Sequence, residues 1–236
     1  MKTKLATAFI LLAFILTGIQ LRADEQTRKV EPFTEISLPI GAKVYLKQGE
    51  KQNLKIEAKS STLDDLITEV KNGKLIIRFT NKDFGWSSFK SGEITIYVTI
   101  PEINGLSVSG SGDIIAEDEI KTKNMDMAVS GSGNIRLSDL SAEHVKSAIS
   151  GSGNIFLAGK TAAQELSVAV SGSGNFKGLD YSADDVLIKV SGSGKVGIGA
   201  NKKLDVHVSG SGNVTYKGNP QINQSVSGSG SVRNAK

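Results

Sequence analysis

Acidic side chains and two histidines are the residues of this chain that could carry acid–base or metal chemistry. The acidic clusters lie at residues 64–65, 117–119 and 184–185. Neighbours along a strand point to opposite faces of a sheet, so such clusters rarely converge as an acid and a base. About three sequence repeats, which are described below, separate His144 from His207, and this distance is too great for the two to share a metal. We therefore predict solvated turns, surface histidines, no metal or other cofactor, and no enzymatic activity.

A short segment between two predicted strands concentrates the aromatic side chains that commonly mediate binding. Residues 81–90 contain Phe84, Trp86 and Phe89, and Trp86 is the only tryptophan of the chain. Exposed aromatic rings stack on sugars and anchor protein interfaces. The alternative is that the segment folds back over an end or a flank of the domain. These three residues form the candidate binding loop of the chain.

The elements that would position these residues follow from a repeated tetrapeptide. Seven copies of Ser-Gly-Ser-Gly recur at spacings of 18 to 21 residues, which is typical of a solenoid built from stacked repeats. The same composition is typical of flexible linkers, but linkers do not recur at regular intervals between apolar segments. The copies begin at Ser109, Ser130, Ser150, Ser171, Ser191, Ser209 and Ser227.

Apolar residues keep a constant position relative to every tetrapeptide. The residue just before it is always valine or isoleucine, and the second residue after it is always apolar, as at Val170 and Phe176. Alternation with β-branched residues predicts strands, and stacking them about 4.8 Å apart would bury both columns. We therefore predict an all-β fold, a single-stranded right-handed parallel β-helix with coils of about 20 residues.

The glycines and the residue after each tetrapeptide indicate how a coil turns. We predict glycine where the backbone needs a positive φ or where coils approach too closely for a Cβ. The residue after the tetrapeptide is asparagine in four of the seven copies, which favours a partial asparagine ladder at a coil corner. Calcium-binding β-rolls use aspartate at this position, and here only Asp113 provides one, so we predict no calcium site.

Residues 33–100 lack the tetrapeptide but keep the strand pattern. Asn72-Gly73 between two β-rich runs predicts a hairpin. Helical spacing of apolar residues predicts a short helix at about 62–66, with Ser61 as its cap. We interpret this third as divergent coils and an end cap of the same solenoid.

The first 23 residues have the pattern of a secretory signal peptide. Lys2 and Lys4 precede an apolar run, and cleavage is expected after Ala23. The alternative is an uncleaved membrane anchor, but the run of about 15 apolar residues is shorter than the roughly 20 that a spanning helix needs. We therefore predict export and no membrane span in the mature chain.

The mature chain is expected to be nearly neutral, and the whole chain lacks cysteine. The full sequence has a formal net charge of +4, and loss of three basic leader residues leaves about +1. No basic stripe in the sequence predicts nucleic-acid binding, and the absence of cysteine excludes disulfides and thiol chemistry. The predicted organisation is a leader at 1–23, a short segment at 24–32 and a β-helical domain at 33–236.

Several of these segments resemble a known family. They are the leader, the opening Phe33–Ile36, and the iterated units of the type Val108–Ile114 and Ile149–Ile155. Together they resemble the putative auto-transporter adhesin, head GIN domain family, over roughly residues 33–217. The resemblance implies a right-handed β-helical domain in exported or surface proteins, with no established activity and no site residues to carry over.

We predict an exported, non-enzymatic protein of the periplasm, cell surface or exterior that acts as an adhesion or ligand-binding module. Its expected partner is a glycan or protein of the envelope or the extracellular space. The alternatives are a carbohydrate-active enzyme of the polysaccharide lyase or hydrolase type, or a purely structural envelope protein. The enzyme would need a groove of charged residues in register. The sixth residue before each tetrapeptide could form such a column, but these residues, which include Asn124, His144 and Lys203, are chemically too mixed to predict a groove. The last strand, near Ser225–Val232, would leave an open edge that allows end-to-end association of copies.

Overall fold

The computed structural model describes residues 24–80 and 92–235, which form a β-solenoid of about six turns. Strands account for 72% of the described residues, and each coil is about 20 residues long. The predicted all-β parallel solenoid is confirmed, and its right-handed winding stays a prediction. Within the described ranges, no helix is both long enough and apolar enough to cross a membrane.

The repeat half winds because residues one coil apart pair side by side in parallel strands. Ile149 pairs with Val170 and Val170 with Val190, so the column before the tetrapeptides runs unbroken along the interior. Both predicted apolar columns are buried from Val108 to Val214. The strands of this half are β8 (Gly105–Val108), β9 (Asp113–Gly131), β10 (Asn134–Gly151), β11 (Asn154–Ala158), β12 (Ala163–Gly172), β13 (Asn175–Gly192), β14 (Lys195–Gly210), β15 (Asn213–Lys217), β16 (Gln221–Ser227) and β17 (Ser231–Asn234).

The N-terminal third continues the solenoid and ends it in antiparallel strands. Its elements are β1 (Asp24–Thr27), β2 (Glu35–Leu38), β3 (Lys43–Gln48), β4 (Asn53–Ala58), α1 (Ser60–Asp65), β5 (Leu66–Lys71), β6 (Lys74–Phe79) and β7 (Thr95–Ile100). β2 and β3 pair in parallel with β8 and β9 and so extend the two sheets. β1 with β4, β4 with β7, and β5 with β6 are antiparallel. The segment 24–32 therefore contributes a strand to the sheet.

The N-terminal third contains both the hairpin and the short helix that the sequence predicts. The hairpin is confirmed, because Asn72 and Gly73 join β5 to β6 with φ values of 53° and 73°. The short helix is also present, but Ser61 as its cap is wrong. The helix begins at Ser60, so Ser61 is already inside it, and Lys59 occupies the N-cap position without a side-chain hydrogen bond.

Each coil turns at its tetrapeptide, and the two glycines there are needed for different reasons. From the second copy on, the first glycine has φ between 114° and 120°, as in Gly151 at 118°, where a Cβ is strained. At the second glycine the limit is space. A Cβ on Gly153 would overlap the carbonyl oxygen of Gly133 and a methyl group of Val129 in the neighbouring coil. Both predicted reasons for glycine are confirmed, one at each position.

The predicted asparagine ladder lies at the corner that follows each tetrapeptide. Asn134 Nδ2 donates to Asp113 Oδ1 at 2.7 Å, and Asn154 and Asn175 each donate to the preceding asparagine at 2.8 Å. The ladder stops at Lys195, whose side chain is exposed. These half-buried amides thus satisfy one another along four coils.

Candidate functional site

A continuous stripe of outward-facing residues runs along the sheet that follows the tetrapeptides. It is formed by the third residue after each tetrapeptide, which alternates with buried neighbours and therefore points to solvent. Strand pairing extends the same column into the N-terminal third. This outer stripe consists, in spatial order, of Lys55, Tyr97, Tyr45, Ile115, Arg136, Phe156, Lys177, Gly197, Thr215 and Arg233.

Two exposed tyrosines form the aromatic part of the outer stripe. The rings of Tyr45 and Tyr97 stack with centroids 5.5 Å apart, and 37% and 36% of their surfaces are exposed. Lys55 Nζ lies 4.6 Å from the centre of the Tyr97 ring. The Tyr97 hydroxyl donates to Glu57 Oε2 at 3.3 Å. Loss of solvent around Tyr97, and then the Glu57 charge, raise the pKa of this hydroxyl, so it remains a hydrogen-bond donor at neutral pH.

Phe156 holds two cations side by side in the middle of the outer stripe. Its ring lies between Arg136, whose Cζ is 4.1 Å from the ring centre, and Lys177, whose Nζ is 4.6 Å from it. Cation–π contacts of this kind contribute about 0.5–1 kcal/mol each at exposed sites. The ring therefore positions both charges, no more than about 8.7 Å apart, without neutralising them.

A groove of about 580 Å³ opens beside these cations, and Gly197 and Thr215 are among the residues that line it. Arg136, Lys177 and Lys195 line it, and within the described residues none of the three forms an ion pair. Asp180 is the single carboxylate of the lining. The groove thus presents positive charge that is available to an anionic ligand.

A second groove of about 490 Å³ lies on the sheet that precedes the tetrapeptides. The prediction that the mixed column forms no groove of charged residues is wrong. Parallel pairing brings its members into register, so that Glu165 lies between His144 and Asp185 on neighbouring strands. Alignment on the tetrapeptides places these residues in one column, but their differing residue types do not indicate a groove. We call this feature the polar groove.

The charges of the polar groove largely pair with each other. His144 Nδ1 lies 3.5 Å from Glu165 Oε2, and Lys203 Nζ lies 2.7 Å from Asp205 Oδ2. The hydrogen bond from Lys203 lowers the pKa of Asp205, which keeps this carboxyl ionised. Across the part of the chain that the structure describes, no three His, Cys, Asp or Glu side chains are placed to hold a metal ion.

The structure places only some of the residues that the sequence singled out. Phe84, Trp86 and Phe89 lie in 81–91, outside the described residues, so the predicted binding loop stays a prediction. His207 is exposed, as predicted. His144 is half-buried beside its acidic partner, and the acidic residues at 117–119 are exposed.

The outer stripe is what sequence reasoning missed. Its members share no residue type, so the repeat pattern does not reveal them. Reading the third position after each tetrapeptide would have aligned Arg136, Phe156 and Lys177. Tyr45 and Tyr97 lie outside the tetrapeptide repeats, so no alignment on the repeats includes them.

Comparison with solved structures identifies proteins of the same architecture. A putative adhesin from Bacteroides fragilis is 26% identical and superposes with a TM-score of 0.81, covering 91% of this chain and 97% of its own. A putative lipid binding protein from Parabacteroides distasonis is also 26% identical, with a TM-score of 0.73 and the same coverage. A putative adhesin from Parabacteroides merdae, 18% identical with a TM-score of 0.70, covers 91% of this chain and 97% of its own and shares the fold.

Comparison at the level of sequence gives a family. Among curated proteins, none matches this chain at a significant level. The pattern of one family matches residues 32–220. These residues contain β2 to β7 of the N-terminal third and β8 to β15 of the repeat half. The chain therefore belongs to the putative auto-transporter adhesin, head GIN domain family.

Proposed function

We propose that this protein is an exported, non-catalytic binding module of the cell surface, and that its outer stripe binds acidic glycan chains. The observation that carries the proposal is the pair Arg136 and Lys177, held apart by Phe156 and free of carboxylate partners among the described residues. The adhesin family supports attachment as the role. The leader at 1–23 supports export.

The shape of the outer stripe favours a linear ligand. Its cations and tyrosines lie in one row along the solenoid, at intervals of about 4.8 Å or multiples of it. Arginine and lysine bind carboxylate and sulfate groups through charge-assisted hydrogen bonds. Tyr45 adds an exposed ring to this row. A polysaccharide with an acidic group on each sugar could contact several of these residues at once, which multiplies weak affinities.

Binding to a charged polymer and to its neutral derivative tests the proposal. We expect the mature protein to bind polygalacturonate and to bind its fully methyl-esterified form at least about tenfold more weakly. Replacing both cations, Arg136→Gln with Lys177→Gln, should weaken binding to polygalacturonate by about tenfold or more, because two charge-assisted contacts are lost. The matched control is Lys123→Gln with Lys189→Gln, which removes the same charge from exposed lysines that line neither groove and form no ion pair within the described residues.

Three results would overturn the proposal. Equal affinity for the charged and the esterified polymer would mean that carboxylates are not recognised. An equal loss of binding in the control pair would mean that the whole surface attracts the polymer and no site exists. Binding to phosphatidylglycerol vesicles without binding to any acidic polymer would replace the glycan by a lipid, a class named for one relative.

The polar groove favours a second candidate, a carbohydrate-active enzyme. Glu165 and Asp185 lie side by side on neighbouring strands there, and glycoside hydrolysis uses paired carboxylates. Incubation with polygalacturonate should then release new reducing or unsaturated ends, and Asp185→Asn should abolish the release. The non-catalytic proposal expects no new ends from either protein, and a purely structural protein would give neither cleavage nor binding.

Export has its own measurement. Mass spectrometry of the protein isolated from the envelope fraction should find an N-terminus at Asp24, one residue past the expected cleavage site. A protein recovered with residues 1–23 still attached would contradict cleavage and favour an anchored form.

A further inference from the structure

β16 is the last strand of its sheet, and it lies over one end of the apolar interior of the solenoid. β16 pairs with β14 on one side, and within the described ranges no strand pairs with its other side. Ile222 and Val226 are each 40% exposed, whereas Leu204 and Val208 at the same positions of β14 are 0% and 3% exposed. Pairing with a further strand would remove this apolar surface from water.

The sequence of β16 has the same pattern in both directions. About Gln224 as its centre, Asn223 and Ser225 are polar and uncharged, and Ile222 and Val226 are apolar. A second copy that pairs with β16 antiparallel about this centre places Ile222 opposite Val226 in both halves of the pair. Apolar residues then meet apolar residues across the strands, which is a stabilising arrangement. β16 is thus complementary to itself.

β16 also lacks the charges that protect exposed edges from pairing. Charged residues on an edge strand oppose pairing with another strand, because the charges would lose water or would repel like charges on the incoming strand. β16 has none, while β1 and β5, the edges at the other end, contain acidic or basic residues. The equivalent stretches before each earlier tetrapeptide from the second to the sixth contain Asp126, Lys146, Glu165, Asp185 and Lys189, and Lys203 and Asp205.

We propose that two copies of this chain join end to end, through antiparallel pairing of β16 with its counterpart about a twofold axis at Gln224. The contact is isologous, so each copy uses the same surface and assembly closes at a dimer. The charged edges β1 and β5 at the other end do not extend it into a filament. The dimer is independent of the outer stripe, which lies on the other sheet.

A charge pair across the proposed interface gives a matched test. In the antiparallel register, residue 223 of one copy lies opposite residue 225 of the other. Asn223→Lys with Ser225→Lys places like charges opposite each other, and Asn223→Lys with Ser225→Asp places opposite charges there. By sedimentation velocity, the wild-type mature chain should have twice the monomer mass. The double-lysine variant should dissociate at least about tenfold more readily, and the lysine–aspartate variant should remain a dimer.

A single cysteine at the axis tests the geometry without relying on charge. The chain contains no cysteine, so Gln224→Cys introduces the only thiol. Opposed residues of antiparallel strands have Cα atoms about 4.5–5.5 Å apart, within the range that a disulfide spans. Mild oxidation should convert this variant almost completely to a covalent dimer, while Ser152→Cys at an exposed corner should give little.

Either of two results would overturn the inference. One is a wild-type chain that stays monomeric at its highest soluble concentration, with no faster cross-linking at residue 224 than at residue 152. The other is a double-lysine variant as dimeric as the lysine–aspartate variant while both melt like the wild type. If the lysine variants fail to fold, the cysteine result decides. Neither result bears on polymer binding, so the dimer and the proposed function fail separately.

Discussion

The corner of the solenoid and the outer stripe lie only two positions apart in every coil, yet they differ in composition. At the corner the residue types repeat, with glycine at fixed places and asparagine in four of seven copies. In the outer stripe hardly any residue type recurs from coil to coil, and isoleucine, arginine, phenylalanine, lysine and glycine follow one another. Both columns are in register and pair with the same neighbours.

The difference follows from what surrounds each column. At the corner, backbone of the next coil lies where a Cβ would be, so packing admits one residue type. The outer stripe faces water, and folding there tolerates almost any side chain. Repetition therefore marks the positions that folding requires. The positions free of that requirement are where binding residues can accumulate.

The largest loss of stability is expected at the second glycine of a tetrapeptide. Gly153→Val should lower the free energy of unfolding by at least about 3 kcal/mol, because the new side chain overlaps the backbone of Gly133 and the side chain of Val129. Thermal or urea unfolding measures the loss. Ser152→Val, one residue away and exposed, should change stability by about 0.5 kcal/mol or less, and an equal loss in both would contradict the packing argument.

The interior contains one tyrosine whose hydroxyl has no hydrogen-bond partner among the described residues, Tyr181. Tyr181→Phe should raise the free energy of unfolding by about 1 kcal/mol at neutral pH, because the variant buries no unpaired hydroxyl. A lower melting temperature for the variant would show that the hydroxyl has a partner, such as a bound water.

The same tyrosine predicts a pH dependence. Burial raises the pKa of Tyr181 from 10.0 to about 12, so the folded state holds the proton more tightly than the unfolded state. The free energy of unfolding therefore does not change with the protonation of this group below pH 10, and it falls as the pH rises toward 12. Between these values the wild type should lose more stability than Tyr181→Phe in urea unfolding. Parallel loss in both proteins would contradict the assignment.

The ladder at the corner should show a smaller effect than the second glycine. Asn154→Ala removes one hydrogen bond to Asn134 and one from Asn175, and should cost about 1–2 kcal/mol. Asn219→Ala, at an exposed position, is the control and should leave unfolding unchanged. If the two variants unfold alike, the ladder contributes nothing to stability.

The outer stripe should show the smallest effect on stability. Phe156→Ala removes two cation–π contacts and, at about 0.5 kcal/mol each, should cost about 1 kcal/mol. Its effect on polygalacturonate binding should be larger than on unfolding, because the two cations lose the ring that positions them. A large loss of stability with unchanged binding would reverse the comparison and make Phe156 a folding residue.

The features that repeat along the chain were predictable from the sequence, and the features that form when coils pair were not. The apolar columns, the two kinds of glycine and the Asn72-Gly73 hairpin were predictable, because each depends on residues close in sequence or on a repeated position. The polar groove was not predicted, because the aligned column that forms it mixes amide, imidazole, acidic and basic side chains. The outer stripe was not predicted either, because its residue types differ and its tyrosines lie outside the repeats.

The winding into coils of about 20 residues, and the place where each coil turns, follow from the amino-acid sequence alone. Apolar alternation and the steric needs of glycine act over a few residues, so they are readable from the order of amino acids. The order of amino acids does not reveal that Tyr45 shares a row with Arg136, or that one edge of β16 has no partner strand among the described residues. Those relations depend on which strands pair across the coils, and pairing is decided by the packing of the whole solenoid.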